Sequence, residues 1–265
     1  MNLPKTVLAE RLGLARSTLY YRSKKQVEDE TSRPLIEEVM GSNPSYGHRR
    51  VALELRWNKK KVLRLMKKFG LKPKLGRGQR WQKKADLGLV PASYQNLVAN
   101  WCPVAPDIVW CADFTYLKIR DAFLYLATVI DSCTKEIVGF ALSRRHNQQL
   151  VKTATLEAMA QRGKLPQYFH SDQGSEYQAE AHLSLLEHLG VKISMSQKAS
   201  PWQNSYQESF YSQFKLELGV LNQLSDGEIV EKIYHQIHYY NHLRIHTALK
   251  MSPRQYYLNY VDKSV

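Results

Sequence analysis

The stretch that most narrows the possible folds lies between residues 108 and 143. IVWCADFTYLKI (108–119) alternates and is rich in β-branched and aromatic residues, which predicts a strand. FLYLATVIDS (123–132) and EIVGFALS (136–143) repeat that texture with only tight turns between, so the three are expected to pair as an antiparallel meander. After them the periodicity predicts a helix over 147–162, a short strand over 167–172 and a helix over 179–189. A strand over 191–196 and long helices over 204–218 and 226–241 follow. The order β-β-β-α-β-α-β-α is that of a mixed α/β layered fold. No run of 18 apolar residues occurs, which excludes a helical membrane span from the sequence reading. The N-terminal MNLPKTVLAERLG has no apolar signal region, so export is not expected. Cys102, Cys111 and Cys133 form no C-x-x-C pair and read as reduced thiols.

Ahead of this body the chain is strongly basic. Residues 1–90 hold 22 Lys and Arg against 8 Asp and Glu, whereas residues 91–265 hold 16 of each, so the net charge of +14 sits entirely in the first third. A basic arm on a neutral body suggests a polyanion as partner. TVLAERLGLARSTLYYR (6–22) is compatible with two short helices around Gly13 and resembles a helix-turn-helix with ARSTLYYR as recognition helix. Arg16, Ser17 and Tyr20 are then DNA contacts; a packed helical hairpin is the alternative. SKKQVEDET (23–31) reads as a loop or exposed helix. Residues 34–72 predict a second helical unit, with Leu35, Ile36, Val39 and Met40 as one stripe and Val62, Leu65, Met66 and Phe69 at helical spacing. Tyr46, His48, Arg49 and Arg50 in its turn are candidate phosphate contacts, as are Lys59, Lys60, Lys61, Arg64, Lys67 and Lys68 on its last helix. A merely solvated basic face is the alternative. Arg77 and Arg80 lie in a basic linker that reads as a tether along DNA. The expected domains are 1–30, 31–75, the linker 76–102, and a body over 103–265 with a C-terminal helical extension.

Three acids stand out by position. Asp113 lies mid-strand, where a carboxylate is costly unless it is paired or binds a cation; Lys118 or Arg120 are its alternative partners. Asp172 ends a strand in HSDQGSEY, at the sheet edge where ligands gather in α/β folds, or it starts a turn before Gly174. Glu208 lies on a helix, with 35 residues between it and Asp172, room for a helix, a strand and a loop to bring it back. Ser205 with Glu208 also fits a capping box. Among rival acids, Asp131 reads as a turn cap and Glu176 as solvated. Oxygen ligands on strand, strand and helix suit Mg²⁺, or Mn²⁺ in its place, rather than zinc. Two such ions can activate water or a 3′-hydroxyl and stabilise the leaving oxygen of a phosphodiester displacement. Lys215, seven residues past Glu208 on the same helix face, is a candidate phosphate holder.

The set ADFTYL, HSDQGSEY and N-x-x-x-E-S-F with F-K-x-E downstream resembles the integrase core shared by retroviral integrases and bacterial insertion-sequence transposases. The gap and the wording around each acid are similar to the OrfB-type proteins of the IS-three family. PSYGHRRV (44–51) with VLRLMKKFGLKPK (62–74) resembles that family's helix-turn-helix before the core. YYNHLRIHTALKMSPRQYY (239–257) resembles its C-terminal block, and Gln203-Asn204 departs from the more usual Asp-Asn.

The resemblance implies an α/β, RNase H-like core, a mixed five-stranded sheet with helices on both sides, preceded by all-α DNA-binding units. It implies that Asp113, Asp172 and Glu208 ligate two Mg²⁺ ions, and that the chain cleaves DNA at transposon ends and joins the 3′-hydroxyl to another strand. Double-stranded DNA, namely terminal inverted repeats and target, is the expected partner. Joining two ends in one event implies at least a dimer on DNA. An OrfA-type upstream product or fusion and a bacterial, cytoplasmic, nucleoid-associated location are implied too. A related Mg²⁺-dependent nuclease and an inert DNA-binding regulator are the rival readings. His238, His242 and His246 would suit a transition metal only on an unbroken helix, and a bend is expected after Asn241. Arg244 is expected to pack on the core or touch DNA, Trp202 to stack on an unpaired base or anchor its loop, and His170 to pack within its strand or to support Asp172 from the same strand face.

Overall fold

The computed structural model describes residues 4–21, 24–74, 94–99, 101–196 and 205–263, with the side chains of residues 205, 206 and 208 outside that set. The chain divides into two units, residues 1–74 and 75–265. In the first, α1 (Lys5–Arg11) leads to a 3-10 turn (Arg16–Tyr20), then to α2 (Lys24–Ser42), α3 (His48–Glu54) and α4 (Lys59–Lys68). The expected recognition helix is thus a five-residue turn. Ala15 before it caps nothing with its side chain, and Tyr21 after it is extended.

The boundary expected at residue 30 falls inside α2, which continues through Pro34. A buried carboxylate explains why. Asp29 accepts from Arg64 through both oxygens (2.6 and 2.5 Å) and from Lys68 at 2.8 Å, which ties the front half of α2 to α4. Behind this clamp Ile36, Tyr46, Val51, Val62 and Leu65 are fully buried. Asn58 starts α4 by accepting the Lys60 N–H at 2.8 Å.

The second unit is built on one sheet. Strands β1 (Val109–Ile119), β2 (Ala122–Asp131) and β3 (Ile137–Ser143) form the meander. Then come α5 (Gln148–Arg162), β4 (Tyr168–Ser171), α6 (Glu180–His188), β5 (Lys192–Met195), α7 (Ser205–Leu218), α8 (Asp226–His238) and α9 (Pro253–Asp262). The order is β3-β2-β1-β4-β5, antiparallel through the first three and parallel from β1 to β4 and β4 to β5. Alternation along β1 sends Trp110 and Ala112 into a core shared with Leu150, Ala154 and Ala158 of α5 and Leu186 of α6. Leu117 and Ile119 point the other way, into a core with Phe214 of α7 and Ile233 of α8. Helices therefore cover both faces.

Gly139 sets the distance between β3 and α5. A Cβ there would lie 2.4 Å from the Ala154 carbonyl oxygen and 2.4 Å from the Ala158 nitrogen, so only glycine permits this approach. At the C-terminal end, a capping box of Ser225 and Glu228 opens α8. A π-helical turn, Tyr239–Leu243, closes it. Asn241 within that turn grips β3, donating to the Ile137 carbonyl and accepting its N–H at 2.9 Å each. The bend expected after Asn241 is this turn. No helix among the described residues is long and apolar enough to cross a membrane.

Candidate active site

Parallel pairing of β1 and β4 runs from Val109 opposite Tyr168 to Cys111 opposite His170. Asp113 stands two residues further along β1, and Asp172 two residues past His170, directly after the end of β4. Neighbouring strands lie about 4.8 Å apart, so both acids sit at the same end of the parallel β1–β4 pair. Asp113 shares the parity of Leu117 and Ile119 and faces the α7 side. Its Oδ1 accepts the Phe114 N–H at 2.8 Å. The Asp172 Oδ1 accepts the Gly174 N–H at 2.9 Å, an Asx-type turn. Burial pushes the Asp172 carboxyl above the usual range, and the nearby Glu176 charge adds to this against the Gly174 bond.

Helix α7 is laid along β1 by two polar side chains. Gln207 Nε2 donates to the Cys111 carbonyl at 2.6 Å, and the Tyr211 hydroxyl donates to the Asp113 carbonyl at 2.6 Å. The match is one of pitch: four helical residues rise about 6 Å and two strand residues about 6.6 Å. Thr128 on β2 completes the network, 2.8 Å from the Tyr211 hydroxyl. Both acids are felt at that phenol: burial first, then the Asp113 and Asp172 charges, raise its pKa well above the ordinary value. Glu208 follows Gln207 in the first turn of α7, so its backbone is held beside β1; its side chain lies outside the described residues. Among the described residues no group of three or more His, Cys, Asp and Glu side chains forms a metal site.

Arg120 does not serve Asp113, because its guanidinium donates to the carbonyls of Asn222 and Leu224. Asp131 is the turn cap expected, fully buried and accepting from Cys133, Thr134 and the Asp107 N–H. Glu176 is not solvated: it is 7% exposed, with His146 Nδ1 at 2.6 Å from Oε1 and Ser175 donating to Oε2. His170 is packed within its strand, 2.9 Å from Ser194 Oγ. His238 and His242 stack on each other, and His246 sits apart in a bridge to Met251.

The expected DNA contacts separate into groups. Arg16, Ser17, Tyr20, Arg49, Lys59, Lys60, Lys61 and Lys67 are exposed, and His48 and Arg50 are half-buried. Tyr46 is fully buried and belongs to the core of the helical unit, under the Arg50 guanidinium. Arg64 and Lys68 are held by Asp29. Arg244 is 3% exposed and donates to Glu217 at 2.8 Å, which makes it a core residue rather than a DNA contact. Lys215 is half-buried with its Nζ 4.7 Å from the Tyr116 ring centre. Burial lowers its pKa, and the Asp113 charge opposes that. Arg77, Arg80 and Trp202 lie outside the described residues. Gln207 and Tyr211 are the functional residues that sequence reasoning missed; polar side chains four apart, flanking Glu208 on a helix face that must be buried, were the available signal.

An integrase core domain family matches residues 103–201, and a second integrase core domain family matches residues 189–253. The transposase for insertion sequence element IS904 of Lactococcus lactis is 34% identical over 248 residues, 88% of this chain and 96% of that protein. Transposase InsF for insertion sequence IS3A of Escherichia coli is 29% identical, over 74% of this chain and 69% of that protein. Among solved structures, the HTLV-2 integrase catalytic core domain in complex with magnesium is similar at a TM-score of 0.45 and 15% identity, over 58% of this chain and 98% of that one. With the meander, the parallel β4 and β5 and helices on both faces, the body has the RNase H-like layout of an integrase core. The chain belongs to the integrase-core transposases of bacterial insertion sequences, the IS-three (IS3) group of DDE polynucleotidyl transferases.

Proposed function

We infer that this chain cleaves one phosphodiester at each end of its mobile element and joins the freed 3′-hydroxyl to another DNA strand, with Asp113, Asp172 and Glu208 as the catalytic acids. The observation that carries this is the position of Asp113 and Asp172 at the same end of the parallel pair β1 and β4, beside a helix anchored at Gln207 and Tyr211. The Asp172 carboxyl, pushed up by burial and by the Glu176 charge, fits a hard divalent cation that would stabilise its ionised form. Asp113, Asp172 and Glu208 would hold two Mg²⁺ ions, with Mn²⁺ as substitute. When bound, such ions supply Lewis-acid polarisation of the phosphate and a more acidic attacking water or hydroxyl.

The chain's own residues do the rest. Asp172 is fixed by the Gly174 N–H, and the Asp113 backbone is fixed by Tyr211, so neither carboxylate drifts. In the first step a water oxygen forms the new P–O bond and the 3′-oxygen leaves with a proton. In the second that 3′-oxygen attacks a phosphorus of the target and the old bridging oxygen leaves. One P–O bond forms and one breaks each time, so strand transfer needs no external energy source. Arg49, Lys59, Lys60, Lys61 and Lys67, all exposed, together with Arg16, Ser17 and Tyr20, would grip the end of the element through phosphates. Uniting two ends in one event calls for at least two copies on DNA. An OrfA-type partner or fusion, and a location at the bacterial nucleoid, belong to the same reading.

The test is strand transfer with pre-cut end DNA and Mg²⁺. Asp113→Asn, Asp172→Asn and Glu208→Gln should each abolish joining while end binding survives. Full activity in any one of them would remove that residue from the catalytic set.

A further inference from the structure

On the α5 side, the hairpin of β1 and β2 carries a run of aromatic rings toward its tip. Phe114, Tyr116 and Lys118 share one parity on β1, and Tyr125 and Phe123 stand opposite Tyr116 and Lys118 on β2. Tyr116 is 58% exposed and Phe123 43%. Their rings meet edge to face at 5.4 Å, and the run continues from Phe123 to Tyr125 at 6.5 Å and from Tyr125 to His146 at 5.1 Å. His146 lies parallel to Phe114 at 6.0 Å.

This run reaches the candidate acids through other side chains at its two ends. At one end His146 holds Glu176, whose Oε2 lies on the same side of Gly174 as the Asp172 Oδ1, 3.2 and 3.0 Å from where a Cβ would stand. At the other end the Lys215 ammonium rests 4.7 Å over Tyr116, and Lys215 is close enough to Asp113 to feel its charge. Lys118 and Arg145 are exposed beside the rings. Exposed rings interleaved with cations are what a single nucleic-acid strand needs: π faces for bases and ammonium groups for phosphates. At an uncut end, still continuous with the flanking DNA, every paired base has both faces covered by its neighbours in the stack, so only an unpaired base can use such a surface.

We propose that Tyr116 and Phe123, with Lys118 and Lys215 beside them, form a stacking platform for unpaired bases next to the reacting phosphate, so that the end of the DNA duplex is opened in the complex. The proposal rests on the function inferred above. Stacking a base on an aromatic side chain is worth enough that losing it weakens the opened state by roughly tenfold.

The experiment uses the full chain, DNA from the flanks of its gene, and permanganate, which attacks thymines with at least one face freed from the duplex stack. Wild-type protein should make thymines in the last few pairs reactive, and Tyr116→Ser with Phe123→Ser should lose most of that reactivity while end binding persists. Tyr116→Phe and Phe123→Tyr, which keep the rings, should retain it. The double serine variant should also lose about tenfold in strand transfer on paired ends and recover on ends with mismatched terminal pairs. Bound ends that stay fully paired, or a loss equal on paired and mismatched ends, would overturn the platform and leave the transposase reading standing. Ring-dependent opening without strand transfer by the wild type would do the reverse.

Discussion

In the helical unit Arg49, Lys59, Lys60, Lys61 and Lys67 stand in solvent. In the sheet unit the arginines mostly serve the protein. Arg120 holds the loop at Asn222 and Leu224. Arg162, its side chain 2% exposed, lies among Asp107, Glu136 and the Tyr257 ring. Arg244 pairs with Glu217. Residues 91–265 carry equal numbers of basic and acidic side chains, and these arginines are committed within the protein, so the excess of the first third is the part left for a partner. Each unit holds an exception. Arg64 and Lys68 are bound to Asp29 in the helical unit, while Lys118 and Arg145 are exposed in the sheet unit and Lys215 feels the Asp113 charge. A basic residue reports on a polyanion only once its internal partners are known.

The sharpest break in the sheet unit is Gly139→Ala. Its methyl would meet the α5 backbone, so the sheet and helix must separate, at a cost of about 3 kcal/mol or more. Amide exchange along β3 and α5 should report the loss; unchanged protection there would mean that the close approach is not needed. Arg244→Ala comes next. It leaves Glu217 with a buried charge and should cost about 3 kcal/mol. Lys60→Ala should cost less than about 0.5 kcal/mol. Equal melting shifts for the two variants would erase the distinction between committed and free cations.

The third contrast is in pH. His182 is buried between Phe169 and Tyr177, and burial first, then Lys152, lowers its pKa to about 4. The unfolded chain binds a proton near pH 6.5 that the fold refuses, so this stability is complete above that value and falls on acidification toward 4. The loss between pH 7 and 5 should be about 2 kcal/mol, and His182→Gln should flatten it. Asp172, with a raised pKa, works in the opposite sense and loses stability as pH rises. Asp29 behaves differently again. Its pKa is depressed, first by Arg64 and then by Lys68, so its contribution is intact above its unfolded value near 3.8 and is lost only below it. Acid should therefore loosen α6 before it loosens the contact of α2 with α4, and exchange measured element by element would show the order.

Much of the sheet unit was legible because alternation and helical spacing are local properties. The meander, the two later strands and α5 to α8 lie within a residue or so of their expected bounds, apart from the end of α8, where Asn241 turns the chain onto β3. The acids stood out because a carboxylate inside a strand needs a reason. What the sequence hides is pairing over distance. Asp29 and Arg64 are 35 residues apart, Arg244 and Glu217 are 27, and Tyr211 reaches the Asp113 carbonyl over 98. Charge or polarity is written at each position, but its partner is not. For that reason Tyr46 reads as a phosphate contact, Arg244 stays open between core and DNA, Glu176 reads as solvated, and α2 as two pieces.

Tyr211→Phe tests the hidden pairing in kinetic terms. Removing the hydroxyl leaves the Asp113 carbonyl and Thr128 without their shared partner, in a buried network. The fold should survive, since the ring still packs with Phe210. Strand transfer should slow about tenfold with DNA affinity unchanged, because Glu208 and Asp113 lose their common anchor. A fall in affinity alone would place Tyr211 on the DNA side instead.

The smallest effect separates free from committed cations within a single helix. Each phosphate contact contributes about 0.9 to the slope of log affinity against log salt. Lys60 is exposed at the start of α4 and Lys68, at its end, donates to Asp29 at 2.8 Å. Lys60→Ala should lower the slope by about one. Lys68→Ala should leave it nearly unchanged, because that ammonium already has its counter-charge. Asp29→Asn removes the counter-charge and should make the slope steeper, with Arg64 and Lys68 both released toward phosphate. If Lys60→Ala and Lys68→Ala lower the slope alike, the Asp29 clamp opens on DNA, and pairing within the free protein would no longer predict which cations the partner takes.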